Sequence, residues 1–430
     1  MRECVMQKQE KLLLVGGDIA TPDVIKYCRE IGVYTIMTND IPRENNPYKQ
    51  MADEAWEIPV EELDILEAKC REVGVTGVFS GVNEHNIDMT QELAKRLGLP
   101  FYASDEGWAC ARDKGRFKAH CVAVGLDVAK RYDLMLPFSS DVLAQIHYPI
   151  VVKPADACAQ RGLSVCHCEE ELLPAYEKAL SFSSSGEIIV EDFLEGIELD
   201  LTYVFVNEKP ILNKCYLTNP IYYGGRPIFS LCLPSISFWN QFEEKHGAQI
   251  EALTKRMDCK YGTMVLQLIY SNEKYYLLEM GYRLDGTASW RNNKRQTGFS
   301  ACEYLVDVQL GRDLNHWHPL IGIKNPSTYN TSYLLYAKPG KVNKIVGLDA
   351  ISKLENIDIT LSRFSEGSVI EAAGNMYQVA YFLLLLDKDK ESMASQIKYI
   401  NETLHFYDEN GNDLLIYFDD YSVFESDANS

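Results

Sequence analysis

The sequence predicts an α/β domain first, an α+β body after it, and a small, mostly β domain at the C-terminus. Three observations predict this. Short apolar strands alternate with helices from residue 11 to about 100, which implies a parallel sheet with right-handed crossovers. From about Ser104 helices and paired strands mix without that alternation. From about Ser327 short strands dominate, with one helix near Glu391–Glu402. The expected boundaries are 1–105, 106–325 and 326–430. A chain of 430 residues has room for two or three domains with large cores.

Lys11–Val15 is a short apolar strand and Gly16-Gly17-Asp18 a turn. Thr21 is the expected N-cap of a helix with Pro22 at its first position. Val33–Met37 is the next strand, and Trp56–Ile58 is extended. Glu61–Val73 is helical, Gly77–Ser80 is a strand, and Asn83–Leu97 is a helix ended by Gly98. The two glycines after the first strand invite a dinucleotide reading, with Asp40 after the second strand as the ribose acid. GGDIAT lacks the GxGxxG spacing, so a structural turn ranks above a nicotinamide site. The loop can still face substrate, because ligands of such sheets sit at the strand carboxyl ends.

Asp113–Lys118 starts a helix running to Val124 and capped by Gly125. Pro149–Pro154 is a strand with Lys153 near its end, and Ala155–Gly162 is a small-residue loop carrying Arg161. Leu163–Cys166 is a strand, Glu169–Ser181 a helix and Glu187–Asp192 a strand. Leu199–Val206 pairs with Lys209–Leu217, and Tyr222–Pro227 is a loop. Phe242, His246, Ile250, Leu253 and Met257 share one helical face. Met264–Tyr270 and Tyr275–Met280 are strands joined by a turn at Ser271–Lys274.

Gln267 and Glu279 interrupt these apolar strands, and Arg283 and Asp285 follow closely. A carboxylate in an apolar run is costly to bury unless it is paired or meets a cation. Hard oxygen ligands beside a fixed cation suit a magnesium-polyphosphate site. Taken alone, the hairpin reads as an edge hairpin with solvated polar residues; its partners elsewhere reverse that. Nearer the C-terminus, Asn410-Gly411 supplies the positive φ of a turn, and Asp419–Ser430 reads as a frayed acidic end.

The 42 basic and 62 acidic side chains leave a net charge of -20. That argues against nucleic acid as a partner, since non-specific affinity for it comes from cationic patches. A small anion needs only a few local lysines and arginines. The N-terminus shows no signal-peptide pattern, and Phe382–Asp387 is too short to span a membrane. The 12 cysteines are scattered, and the Cys166-His167-Cys168 cluster lacks two further zinc ligands. Reduced thiols in a cytoplasm are the expectation.

Together these pieces resemble the ATP-grasp superfamily, in particular the carboxylate-amine ligases related to carbamoyl phosphate synthetase and biotin carboxylase. The resemblance follows domain order along nearly the whole chain and is specific from Asp113 to Arg283. It implies a pre-ATP-grasp α/β domain, an α+β ATP-grasp body whose two lobes, one of them a lid lobe at about 125–195, clamp ATP, and a small mostly β C-terminal domain. By position, Lys114 and Lys153 look like the ATP-binding lysines. Val190–Glu198 resembles the adenine hinge: Glu191 and the backbone of Phe193 and Leu194 would meet adenine, and Glu198 the ribose. Ala155–Gly162 corresponds to the phosphate-covering loop, with Arg161 adding charge and few glycines for close approach. Gln267 and Glu279 fall at metal-ligand positions for Mg2+ or Mn2+. Gly281 stands where the resemblance expects asparagine, so water or Asp285 would complete the shell. Arg283 matches the arginine that steadies the transferred phosphoryl group. Arg291, Arg226 and Asp285 are candidates for substrate, with Tyr222–Arg226 as a wall of its pocket.

The implied reaction joins a small carboxylate to an amine through an acylphosphate, with ADP and phosphate released and a homodimer as an expected assembly. Three rivals stand beside it. One is an ATP-binding protein weakened in catalysis, motivated by Gly281. A second is a carboxylase of the biotin-carboxylase type, although the chain has no Met-Lys-Met. The third is a dehydrogenase using the first domain.

Overall fold

A computed structural model describes residues 9–156, 161–223, 226–372 and 376–425. The first strands are β1 (Lys11–Val15), β2 (Tyr34–Thr38), β3 (Glu54–Trp56) and β4 (Gly77–Phe79), forming a parallel sheet in the order β3-β2-β1-β4. Helices α1 (Thr21–Glu30), α2 (Pro47–Met51), α3 (Leu63–Val73) and α4 (Glu84–Leu97) connect and flank it. Both faces of this sheet are apolar, as a parallel sheet covered on two sides requires: Leu12 and Leu14 face one core, Leu13 and Val15 another.

Helix α1 begins at Thr21 itself, with Ala20 ahead of it and no side-chain cap. The threonine hydroxyl instead accepts from Asp18 N–H, so its turn-making role moves one residue upstream. The Gly16-Gly17 turn is filled from within. Gly16 has φ 75°, and a Cβ there would lie 2.0 Å from the Asn86 side chain; one on Gly17 would lie 2.3 Å from Met37.

Helices α5 (Asp105–Arg112) and α6 (Lys114–Ala123) lead into the lobe. Its strands are β5 (Arg131–Tyr132), β6 (Ile150–Pro154), β7 (Ser164–Cys166) and β8 (Ile188–Asp192), antiparallel in the order β5-β8-β6-β7. The short α7 (Ser140–Leu143) and α8 (Leu172–Phe182) belong to the same lobe, preceded by a 3-10 turn at Glu169–Glu171 where the sequence predicts helix. Ile150, Val152, Leu172, Ala179 and Val190 form a core separate from the larger ones. Full burial of each large aliphatic side chain stabilises by about 1.5–3 kcal/mol, so the lobe holds its own shape.

The large sheet contains β9 (Ile197–Val206), β10 (Lys209–Tyr223), β11 (Arg226–Pro234), β12 (Thr263–Ser271), β13 (Lys274–Gly281) and β14 (Tyr329–Ala337). Its order is β13-β12-β9-β10-β11-β14, continued by Val379–Asp387 and Ile357–Ser362, with Leu415–Ile416 pairing beside β14. The C-terminal segment therefore extends the sheet of the middle unit through Leu231–Tyr333 and Cys232–Ser332. Helices α9 (Ile236–Arg256), α10 (Trp290–Thr297) and α11 (Ala301–Gln309) follow the sheet strands, and the expected α9 face is buried at Phe242, His246, Ile250, Leu253 and Met257.

Two turns differ from expectation. The β12–β13 turn is only two residues, Asn272 (φ 49°) and Glu273 (φ 61°), the positive-φ pair that matches strand twist. Tyr222–Pro227, expected as a loop, is a hairpin in which Tyr223 pairs with Arg226; its Gly224-Gly225 tip lies outside the described residues. No helix among the described residues is long and apolar enough to cross a membrane.

Candidate functional site

Helix α6 positions the first group. Asp113 caps its N-terminus by accepting from Arg116 N–H. Lys114 and Lys118 then fall four residues apart, on one helical face. Lys118 pairs with Glu191 on β8, and Lys114 lies 2.9 Å from Glu279 on β13. One helix thus ties the lobe sheet to the large sheet through two ion pairs.

Glu191 has a side-chain exposure of 3% and binds Lys118 with one oxygen and Lys153 with the other. Strand pairing explains the second contact: Lys153 and Glu191 lie on antiparallel neighbours, β6 and β8, two residues out of register. Burial pushes the Glu191 carboxyl up, but the two ammonium groups outweigh it and hold it below the usual range. In this arrangement the Glu191 side chain is taken up by the two lysines, where the sequence reading places it at the adenine edge. Phe193 N–H is also taken, by the Pro149 carbonyl at 3.1 Å. Lys118 was missed in the sequence, although its i+4 spacing from Lys114 was the available signal.

The second group is a row across three strands. Asp200 on β9 pairs with Gln267 on β12, and Gln267 pairs with Glu279 on β13. Register slips between Gln267 and Leu268, leaving Leu278 as a bulge beside Glu279; bulges commonly re-aim side chains at sites. Asp200 was not singled out in the sequence. One of its oxygens is buried without a partner. Desolvation, then Glu198 and Glu279, push its carboxyl up to about 7. Glu198 lies two residues away on the same face, and lost hydration and then Glu279 raise its carboxyl. A Cβ at Gly281 would meet open space, so no neighbour fills the place of the expected asparagine.

Crowded carboxylates with raised pKa, one unpartnered oxygen and an amide in line form an oxygen-rich donor set that fits a hard divalent cation. Such a cation would relieve the repulsion among Glu198, Asp200 and Glu279. Asp285 does not join this row. One of its oxygens accepts from Thr287 N–H and Oγ1 and Ser289 N–H, the other from Ser289 Oγ, and Lys214 stands 3.9 Å away. Its expected help to the metal is therefore not supplied in this arrangement.

Arg283 reaches Glu84, the first residue of α4, at 3.3 Å and also bonds the Leu284 carbonyl. Arg291 is held by two acids. It pairs with Asp23 of α1 at 2.8 Å and with Asp358 at 3.4 Å, while Trp290 Nε1–H donates to the same Asp23. The guanidinium bridges α1 and the strand Ile357–Ser362 in this arrangement, where the sequence reading makes it a candidate substrate anchor. Arg291→Ala should cost about 1–3 kcal/mol in urea unfolding, the penalty of stranding a partly buried charge partner.

Arg161 is exposed just after residues 157–160, which lie outside the described residues, as does the Arg226 side chain. Tyr222 is 73% exposed near its hairpin tip, and it does not line the cavity beside Arg283. Elsewhere, Glu106, Cys110 and His120 form a compact trio. Arg116 and His120 occupy the Glu106 oxygens, Arg116 first, and hold its carboxyl at about 2. That trio is accounted for by its own ion pairs.

A separate small lobe, a large antiparallel sheet, and lysines of α6 and β6 meeting one acid from each sheet make up an architecture that superposes on the solved structures of several ligases and carboxylases. The family model described as D-ala D-ala ligase C-terminus matches residues 127–218. The carbamoyl phosphate synthase large chain of Clostridium beijerinckii is 21% identical over 400 residues, covering 88% of this chain and 35% of its own. The chain spans about a third of the length of the curated relatives it matches. The L-amino acid ligase of Bacillus licheniformis superposes with a TM-score of 0.76 at 16% identity, over 96% of this chain and 100% of that one. The biotin carboxylase domain of Hydrogenobacter thermophilus 2-oxoglutarate carboxylase, solved with MgADP and bicarbonate, gives 0.72 at 18% identity, over 95% and 92%.

Proposed function

We propose that this chain is an ATP-dependent ligase. It phosphorylates a small carboxylate with ATP, then joins the acylphosphate to an amine or similar nucleophile, releasing ADP and phosphate. The observation that carries this reading is the meeting of Lys114–Glu279 and Lys118–Glu191–Lys153 along one helix. The solved structure of an L-amino acid ligase and the carbamoyl phosphate synthase relatives support it.

Lys114 and Lys153 bind the phosphates, leaving Glu279 and Glu191 as ATP arrives, and Lys118 holds Glu191 in place. Leu194 contributes backbone to adenine, and Glu198 accepts from ribose hydroxyls. Gln267 and Glu279, with Asp200 beside them, hold Mg2+ or Mn2+. The ion when bound neutralises charge on the polyphosphate. Arg283 leaves Glu84 and steadies the transferred phosphoryl group. Arg161 and its loop cover the phosphates. A substrate carboxylate is already ionised at neutral pH, so attack needs no protein base and no nucleophilic serine or cysteine. Positioning and exclusion of water from the acylphosphate are the protein's tasks. Ten cysteines are free thiols among the described residues, which fits work in a cytoplasm.

Lys153→Ala tests the reading. It should weaken ATP binding by about 1–3 kcal/mol, the scale of a charge-assisted hydrogen bond, measured by calorimetry. ATP bound at wild-type strength by that variant would refute the phosphate role. ATP binding without turnover across a carboxylate panel would favour the catalytically weakened alternative.

A further inference from the structure

We propose that Asp200 is itself a metal ligand, standing in for the side chain that Gly281 lacks, and that the row it completes holds one divalent cation before the nucleotide arrives. This deepens the ligase reading and rests on its metal site; it adds the third ligand and the order of binding. Register fixes the geometry. Asp200 and Glu279 stand on either side of Gln267, one strand away in each direction. Neighbouring strands lie about 4.8 Å apart, so these two backbones are about 9–10 Å apart. An aspartate and a glutamate side chain close that span over one ion. Gly281 pairs with Val265, and Val265 with Thr202, so the glycine belongs to the next row on the same face. Both positions flank Gln267, the glycine from β13 and the aspartate from β9.

Charge points the same way. One oxygen of Asp200 is buried with no hydrogen-bond partner, and the charged groups that act on it, Glu198, Glu279 and Asp285, are all acids. A carboxylate so placed is costly unless a cation meets it. Asp285 has its own partners, Lys214 at 3.9 Å and the hydroxyls of Thr287 and Ser289. Glu279 has Lys114 at 2.9 Å. Glu198, Asp200 and Glu279 therefore set three negative charges against the one positive charge of Lys114, which leaves two. That excess is the complement of one divalent cation, and it exists with no phosphate present. Magnesium keeps several waters and takes only a few protein oxygens. Asp200, Gln267 and Glu279 offer three.

The glycine is then no sign of a weakened site, because the ligand has moved across the sheet from β13 to β9. A Cβ at Gly281 would meet nothing within 4 Å, so an asparagine fits there without displacing a neighbour. The exchange can therefore be run backwards, with the ligand removed from β9 and restored on β13.

The test uses Mn2+ as the probe, with the full chain and no nucleotide, and reads free ion by its electron paramagnetic resonance. Wild type should bind one Mn2+ per chain. Asp200→Asn should weaken that binding about 10-fold or more, and Gly281→Asn added to it should recover part of the loss. Asp200→Asn keeps the shape of the side chain, so a role limited to packing would leave Mn2+ affinity unchanged; that result overturns the proposal. A double variant that recovers nothing overturns it too. If Asp200→Asn fails to fold, wild-type crystals soaked with Mn2+ decide. Anomalous scattering should place the ion within ~2.5 Å of an Asp200 oxygen, and an ion held by Gln267 and Glu279 without Asp200 overturns the assignment. Nucleotide separates this proposal from the ligase reading. Mn2+ bound only when ATP is present would sink the proposal alone. Mn2+ bound by the free chain, with no ATP binding by calorimetry at any Mn2+ concentration, would sink the ligase reading alone.

Discussion

Glu279→Ala is expected to lower ATP-dependent turnover by about 100- to 1,000-fold, the scale of removing one preorganised electrostatic group from a transition state. Two effects combine. The row Asp200–Gln267–Glu279 loses the carboxylate that stands against Lys114 at 2.9 Å. Lys114, with a side-chain exposure of 19%, loses an acid partner. ADP release under saturating ATP measures the two together. The magnesium concentration giving half-maximal ATP binding isolates the ligand role of the carboxylate without turnover, and it should rise at least about 10-fold. Glu279→Gln should fall between wild type and Glu279→Ala, because the amide keeps a hydrogen-bond acceptor but not the charge. Normal turnover and normal magnesium dependence in Glu279→Ala would remove Glu279 from the site.

Residues at local landmarks were legible. Lys114 follows a helix cap, Lys153 ends an apolar strand, and Gln267 and Glu279 break two apolar runs, so their chemistry stands out within a few residues. What depends on register or on distant partners was not. Asp200 is one polar residue in an alternating strand until pairing sets it opposite Gln267. Lys118 carries a helical-spacing signal, yet only its contact with Glu191, 73 residues away, makes it part of the site. Arg291 looked available for substrate because its partner Asp23 lies 268 residues earlier. The same limit applies to architecture. Strand-helix alternation revealed the parallel sheet, whereas the pairing of β11 with β14 joins segments about 100 residues apart and leaves no local mark. Turn chemistry fell between these cases: Asn272-Glu273 can adopt positive φ, but the sequence also permits a four-residue turn.

Glu191→Ala should be the most destabilising single substitution at the site, by about 3–5 kcal/mol, the cost of breaking a buried pair from one side. The argument turns on what is left behind. Lys118 has 9% side-chain exposure and Lys153 15%, and both would face each other without the carboxylate between them. Removing Lys153 instead leaves Glu191 still paired with Lys118, so that variant should be less damaging. The pH dependence carries the same signature. Glu191 is held below its unfolded range, so its stabilising contribution is fully present above the unfolded pKa of about 4.3. It is lost as pH falls through the lower, folded value. The gap between wild type and Glu191→Ala in urea unfolding should therefore be constant from pH 6 to 7 and narrow below about pH 4. ATP should narrow it too, because a polyphosphate brings negative charge to the same two lysines. A gap that stays constant into acid would mean the carboxylate is not the group the lysines depend on.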